Sequence, residues 1–247
     1  LLLIVGAYYL AGKNRPALLR LGLGSIGALA ATLLPFVLIV PGPLLSFLRY
    51  HQLRGLQLES LPAGVIVLAH VLGLTPARLE FNYGALHVAS PLAGTVLSWL
   101  PVAFILIFGG VLVGGLARFR EEQAADRRVT NASLVAYSVA ALLAFIITNK
   151  VFSPQYLIWL LPFAPLLRLR QAGALLAICA LTIVLFPFNY DHLLAMELLP
   201  VLLLNLRNLL TVALLGWLLV DHAPSSWRAA LGLPVLAARL AGRRALH

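Results

Sequence analysis

The sequence predicts an all-α, polytopic transmembrane helical bundle with interfacial or re-entrant helices on its outer face. Three observations carry that expectation. Of the 247 residues, 62% are hydrophobic and only 11% charged, whereas a soluble domain holds about 45–50% apolar and about 25% charged residues. The mean hydropathy is +0.98. The apolar residues also come in long blocks, 21–40, 92–117, 131–148, 172–188 and 200–220, each near the roughly 20 residues that cross a bilayer core. An ordinary soluble domain is excluded.

The elements follow in order. Residues 1–11 read as the end of a span arriving at the cytoplasm. With no Met and no charged leader ahead of them, they suggest the back part of a longer protein. Block 21–40 then crosses outward and stops at Pro41-Gly42-Pro43, a strong helix breaker. The next run, 61–74, has 14 residues, the length of a re-entrant or interfacial segment rather than a crossing. Parity agrees: if 61–74 crossed, the arginine loop 118–128 would lie outside. Residues 43–91 are therefore placed on the outer side. Block 92–117 returns inward with a kink expected at Pro101, and 131–148 goes out. Segment 154–167, which carries Pro162 and Pro165, comes back; 172–188 exits and 200–220 re-enters. Residues 1–220 thus form one membrane domain and 221–247 a basic cytoplasmic tail. Trp227, Leu231, Leu233, Leu236 and Leu240 would rest that tail on the membrane if it is amphipathic, the alternative being a solvated tail.

The net charge of +10 follows this topology. Lys13, Arg15 and Arg20 share one polar gap, Arg118, Arg120, Arg127 and Arg128 a second, and Arg168 and Arg170 a third. Arg228, Arg239, Arg243 and Arg244 lie in the tail. If these groups share a side, that side is cytoplasmic. The basic balance is a topology signal, and no nucleic-acid partner is expected. One cysteine, Cys179, allows no intrachain disulfide and no thiolate metal site.

The uncommon polar residues gather at the other, outer face. The first cluster is Arg49-Tyr50-His51-Gln52-Leu53-Arg54-Gly55-Leu56-Gln57-Leu58-Glu59-Ser60. As a helix it would set Tyr50, Arg54 and Gln57 on one face, with donors and acceptors suited to a sugar or a phosphate. The alternative is an amphipathic surface helix with no chemistry. In the second cluster, Thr148 to Tyr156, Ser153 and Pro154 suit the first turn of a helix. Its N-terminus, with Lys150 just ahead, is a recipe for holding an anion; a capped loop with a snorkelling lysine is the plainer reading. The third is Arg207 inside the last span, costly unless paired or facing a cavity. Glu197 or Asp191 are candidate partners, and a structural interhelical pair is the alternative role. His70 in an apolar run reads as a hydrogen-bonded core histidine. Glu80, Asn82, Tyr83 and His87 could line an outer cleft.

These clusters also carry a resemblance. Arg54-Gly55-Leu56-Gln57-Leu58-Glu59-Ser60-Leu61 resembles the RGLQxESL segment of glycosyltransferase family 87. Lys150-Val151-Phe152-Ser153-Pro154-Gln155-Tyr156-Leu157-Ile158-Trp159-Leu160-Leu161-Pro162 resembles that family's KVFSPQYLLWLLP stretch, the more specific match, and Arg207-Asn208-Leu209-Leu210 fits its last-span pattern. The resemblance implies a GT-C type membrane enzyme of the bacterial plasma membrane, facing outward. It would perform an inverting transfer of a hexose, mannose first, from a polyprenyl-phosphate donor to a lipid or glycan acceptor. Lys150, Ser153, Arg54 and Arg207 would neutralise the donor phosphate, while His51, Gln57, Gln155 and Tyr156 would orient sugar or acceptor. Glu59, in the same group, is expected to pair with an arginine, Arg54 holding it ionised. No cofactor or metal is implied, since the leaving group is already a lipid monophosphate. The general base of this superfamily is an aspartate in the first outer loop, which would lie upstream of Leu1, so this stretch alone would be inactive. A lipid or sugar transporter is the alternative, but it would place polar residues at mid-bilayer on broken, paired helices.

Overall fold

The computed structural model describes residues 1–39 and 41–230. It is 78% helical with little sheet. The order is α1 (Leu2–Ala11), α2 (Arg15–Ile39), α3 (Pro41–Leu53), α4 (Leu61–Val71), a hairpin of β1 (Arg78–Asn82) and β2 (Ala85–Ala89), α5 (Pro91–Asp126) and α6 (Asn131–Thr148). Two short 3-10 helices follow, Pro154–Trp159 and Leu161–Leu166. Then come α7 (Leu169–Ile183), running into a π-helical turn at Val184–Phe188, α8 (Tyr190–Leu194), α9 (Leu198–Asp221) and α10 (Ser225–Ala230). Among the described residues, five helices are long and apolar enough to cross a membrane: Arg15–Ile39, Pro91–Asp126, Asn131–Thr148, Leu169–Phe188 and Leu198–Asp221. They contain the five apolar blocks, apart from Val40, which lies outside the described residues.

The helices begin where side chains can satisfy their free N–H groups. Ser60 accepts from Ala63 N, Ser90 from Leu92 N with Pro91 in the first turn, and Thr130 from Ser133 N. At about 1.5 Å per residue, the 36 residues of α5 reach well past a bilayer core, with Pro101 inside the helix. At the centre, α6 packs against α5, α9 and α1. Bare glycines let α5 approach it: a Cβ on Gly115 would stand 3.1 Å from the Tyr137 ring. Between membrane helices, such close backbone packing and hydrogen bonds supply the association energy. Gly115→Val is therefore expected to destabilise the bundle by about 1–3 kcal/mol through overpacking, measured as a lower unfolding midpoint in detergent.

The bundle has two chemically distinct ends. At one, Arg118 bridges Glu122 at 2.9 Å, Ser133 donates to Glu122 at 2.6 Å, Arg168 bridges Asp221 at 3.0 Å and Ser225 N donates to Glu121 at 2.9 Å. Arg15 and Arg120 line one cavity there. All four basic groups thus have members at this end; Arg239, Arg243 and Arg244 lie outside the described residues. Segment 154–167 joins the end of the bundle at Lys150 to the end at Arg168, and it does so without an α-helix. Pro162 and Pro165 remove two backbone donors. The chain instead makes i→i+3 bonds such as Tyr156 N→Ser153 O and Phe163 N→Leu160 O, whose longer rise per residue lets a short segment reach further.

Residues 54–60 pair with β2 across α4. Leu58 N donates to Leu86 O at 3.0 Å and Val88 N to Leu56 O at 2.8 Å. The chain before α4 and the chain after it are therefore paired with each other. The hairpin is an addition to the all-helical expectation. Tyr83 and Gly84 both have positive φ, 47° and 67°, the geometry of a two-residue turn whose twist suits paired strands. Trp227 departs from the membrane-surface expectation: its ring lies against α5, where a Cβ on Gly114 would meet it at 3.0 Å. The remaining residues of that apolar stripe, from Leu231 on, lie outside the described residues.

Candidate functional site

The outer site is built on the seven residues after α3. The helix ends at Leu53, and Arg54 N closes its last turn on Tyr50 O at 3.2 Å. The chain then extends, because Leu56 and Leu58 pair with β2 while Gln57 N donates to Lys150 O at 2.9 Å. Gln57 is thereby taken off the helical face expected to join it to Tyr50 and Arg54. Gly55 allows the approach to β2: a Cβ there would stand 3.3 Å from His87 Cβ.

Lys150 is the second residue after α6 and reaches back across this segment. Its Nζ donates to Arg54 O at 2.7 Å and Gln52 O at 3.0 Å. An ammonium has a further N–H to offer. Partial burial, and then the charge of Arg54, hold the Lys150 pKa below the ordinary lysine range. The lysine stands at the polar end of a cleft of about 450 Å³, whose walls are Leu97, Leu100, Pro101 and Phe104 of α5 and Phe145 of α6. A cation at the mouth of an apolar corridor is a fit for an amphiphile with an anionic head.

A second cavity, about 660 Å³, is lined by Gln57, Glu59, Ser153, Gln155, Tyr190 and the aromatic rings of Phe81 and Phe186 among others. The Gln57–Lys150 backbone bond joins it to the first. Glu59 departs from the expected pairing with Arg54. Tyr190 donates to its Oε1 at 2.9 Å and Oε2 has no partner. Burial pushes this carboxyl above the usual glutamate range, with the Tyr190 hydrogen bond and the Arg207 charge opposing. The folded state therefore favours the protonated form: its stability is full below the ordinary glutamate pKa and falls as pH rises through the raised one. Glu59→Gln should remove that alkaline-side loss and leave acid stability unchanged, read from unfolding midpoints across the pH range in detergent.

Arg207 sits behind this cavity and is only 2% exposed. Its partners are neither Glu197, which pairs with His192 at 2.9 Å, nor Asp191. Nη2 donates to Glu59 O at 2.8 Å and Cζ lies 3.9 Å from the Phe152 ring centroid, while Nε and Nη1 are unpaired. Asn208 donates to Ser60 O at 3.4 Å and Asn205 to Gly64 O at 2.9 Å, so one face of α9 fastens the whole 59–64 segment.

The expected residues thus divide. Gln57, Glu59, Ser153 and Gln155 meet in one cavity, and Lys150 joins Arg54 through its backbone at the adjoining cleft. His51 is exposed on α3, its ring 4.4 Å from that of Phe47, and Tyr156 stacks on Trp159 at 4.6 Å. The anion-holding helix N-terminus does not form. Ser153 makes no side-chain cap, and the helix it precedes is six residues of 3-10 type, whose dipole is too short to matter. Tyr190 is the functional-looking residue the sequence reading missed; its neighbours carry no pattern that marks it. His70 Nδ1 lies 3.1 Å from Ala77 N, the hydrogen-bonded role expected. Compared with family models, curated proteins and solved structures, the chain gives no match.

Proposed function

We propose that the chain carries the donor site of a GT-C type membrane glycosyltransferase. It would transfer a hexose, mannose first, from a polyprenyl phosphate to a hydroxyl of a lipid or glycan acceptor on the extracytoplasmic face of a bacterial plasma membrane. The observation that supports this best is Lys150 at the polar end of the Phe104–Phe145 cleft, beside the polar cavity of Gln57 and Glu59. The prenyl chain would lie along the cleft, the phosphate against Lys150, and the sugar in the cavity before Gln57, Gln155 and Glu59.

In the reaction, the acceptor oxygen forms a bond to the anomeric carbon on the face opposite the phosphate. The carbon–oxygen bond to the phosphate breaks, its electron pair leaves with the polyprenyl phosphate, and the acceptor proton goes to a base. In the GT-C superfamily that base would be an aspartate of the first outer loop, and none of the residues named above is assigned that role. Lys150 would stabilise the charge that grows on the leaving phosphate, an interaction strongest in the transition state. Glu59, whose carboxyl burial shifts above the usual glutamate range, would hydrogen-bond the sugar rather than act as the base.

The test is transfer of radiolabel from polyprenyl-phosphate-mannose to a lipid extract, in membranes of cells producing the full-length protein. Label entering a new glycolipid or glycan, and stopping with Lys150→Gln, is the expected result. Absence of transfer from mannose and other hexose donors, with the protein correctly inserted, would overturn the reading in favour of transport.

A further inference from the structure

We propose that the inner end of the bundle holds a second, separate site, for the headgroup of an anionic glycerophospholipid. The α1–α2 turn and the cytoplasmic extension of α5 enclose a cavity of about 970 Å³, larger than either outer cavity. Lys13, Arg15 and Arg120 line it, with Gln123 and Tyr9 as further polar groups and Leu18 on its apolar wall. No acidic residue lines it.

The positive-inside rule requires cations at this end but not their convergence. The contrast with their neighbours is the informative point. Arg118 bridges Glu122 and Arg168 bridges Asp221, while Arg228 donates to Asp221 O at 2.6 Å. Glu121, next to Arg120, is committed to Ser225, whose N and Oγ donate to it. Lys13, Arg15 and Arg120 make no ion pair among the described residues.

The turn is built to keep these cations where they are. Lys13 has φ +53°, a left-handed conformation that glycine would take without strain and a lysine does not. Asn14 Oδ1 accepts from Ala17 N at 3.1 Å and caps α2, so Arg15 starts the helix beside the cavity. Above it, α2 has no buried residue, which leaves the apolar surface between α1 and α2 open to acyl chains. Three uncompensated cations at the headgroup level, over an apolar wall, select a lipid with a net negative phosphate. A zwitterionic headgroup would bring its own cation into the same cavity.

The test uses the protein in nanodiscs of dioleoyl phosphatidylcholine doped with photoactivatable phosphatidylglycerol, with the labelled peptides located by mass spectrometry. Label is expected on residues 9–18 and 120–124, at least about tenfold above that from photoactivatable phosphatidylcholine, and falling as salt rises. K13Q/R15Q/R120Q should lose it and K13R/R15K/R120K should keep it. Equal labelling by the two lipids on the unaltered protein would overturn the proposal without any variant having to fold. Competition by millimolar inorganic phosphate would point to a free anion instead and would also overturn it. Lys150→Gln should leave this labelling unchanged, which separates the inner site from the outer one.

Discussion

Lys150→Ala is expected to weaken binding of a polyprenyl phosphate by about ten- to a hundredfold, from loss of a charged hydrogen bond of about 1.5–3 kcal/mol. The side chain has two jobs, so two variants are needed. Its Nζ ties down Gln52 O and Arg54 O, and alanine removes both the charge and those ties. Lys150→Gln keeps an amide donor for one carbonyl and drops only the charge. If charge on the phosphate is the point, the glutamine variant binds as poorly as alanine while unfolding at the same midpoint as the unaltered protein. If glutamine restores affinity, the lysine merely orders the 52–54 turn. The lowered pKa adds a second signature. Affinity should start to fall with rising pH earlier than for an ordinary lysine, because the ammonium is the form that binds. Donor titration by tryptophan quenching or filter binding across the alkaline range reads both effects.

The helices that cross were legible because their signal is compositional. A run of about 20 apolar residues has few alternatives to a transmembrane helix, and flanking arginines orient it. Local propensity did worse where pairing partners distant in the chain decide the outcome. Residues 54–60 look helical by spacing, yet Leu56 and Leu58 are claimed by Leu86 and Val88 some 28 to 32 residues on. The hairpin itself was signalled only by Tyr83-Gly84 and by the alternation of Leu79 and Phe81, Leu86 and Val88. For the site, the residue types were legible but their partners were not. Glu59 and Arg54 are five residues apart and were expected to meet. Instead, burial and Tyr190, 131 residues away in sequence, set the state of that carboxyl. Ser153 followed by Pro154 has the sequence of a helix start, and it does start a helix, but prolines downstream keep that helix short and tight.

Arg207→Ala is expected to be the most destabilising single change, at about 3–5 kcal/mol, the range for a large-to-small exchange in a core that also leaves a buried acceptor unpaired. Truncation strands Glu59 O, which loses the Nη2 donor at 2.8 Å, and opens a void against the face of Phe152. Arg207→Met separates packing from charge. Methionine refills the volume, its thioether makes a favourable contact with the Phe152 ring, and the two unpaired donors Nε and Nη1 disappear with the guanidinium. Its expected cost is about 1–3 kcal/mol, because the Glu59 carbonyl still loses its donor while no void is left. Unfolding midpoints in detergent order the three proteins. Donor binding to the folded methionine variant then decides what the arginine is for. A loss comparable to that of Lys150→Gln would make Arg207 part of the phosphate site, acting through the Glu59 segment. Unchanged affinity would make it the fastener that holds residues 59–64 against α9, which is the role its geometry favours, since Phe152 and Glu59 O cover the guanidinium from the cavity side.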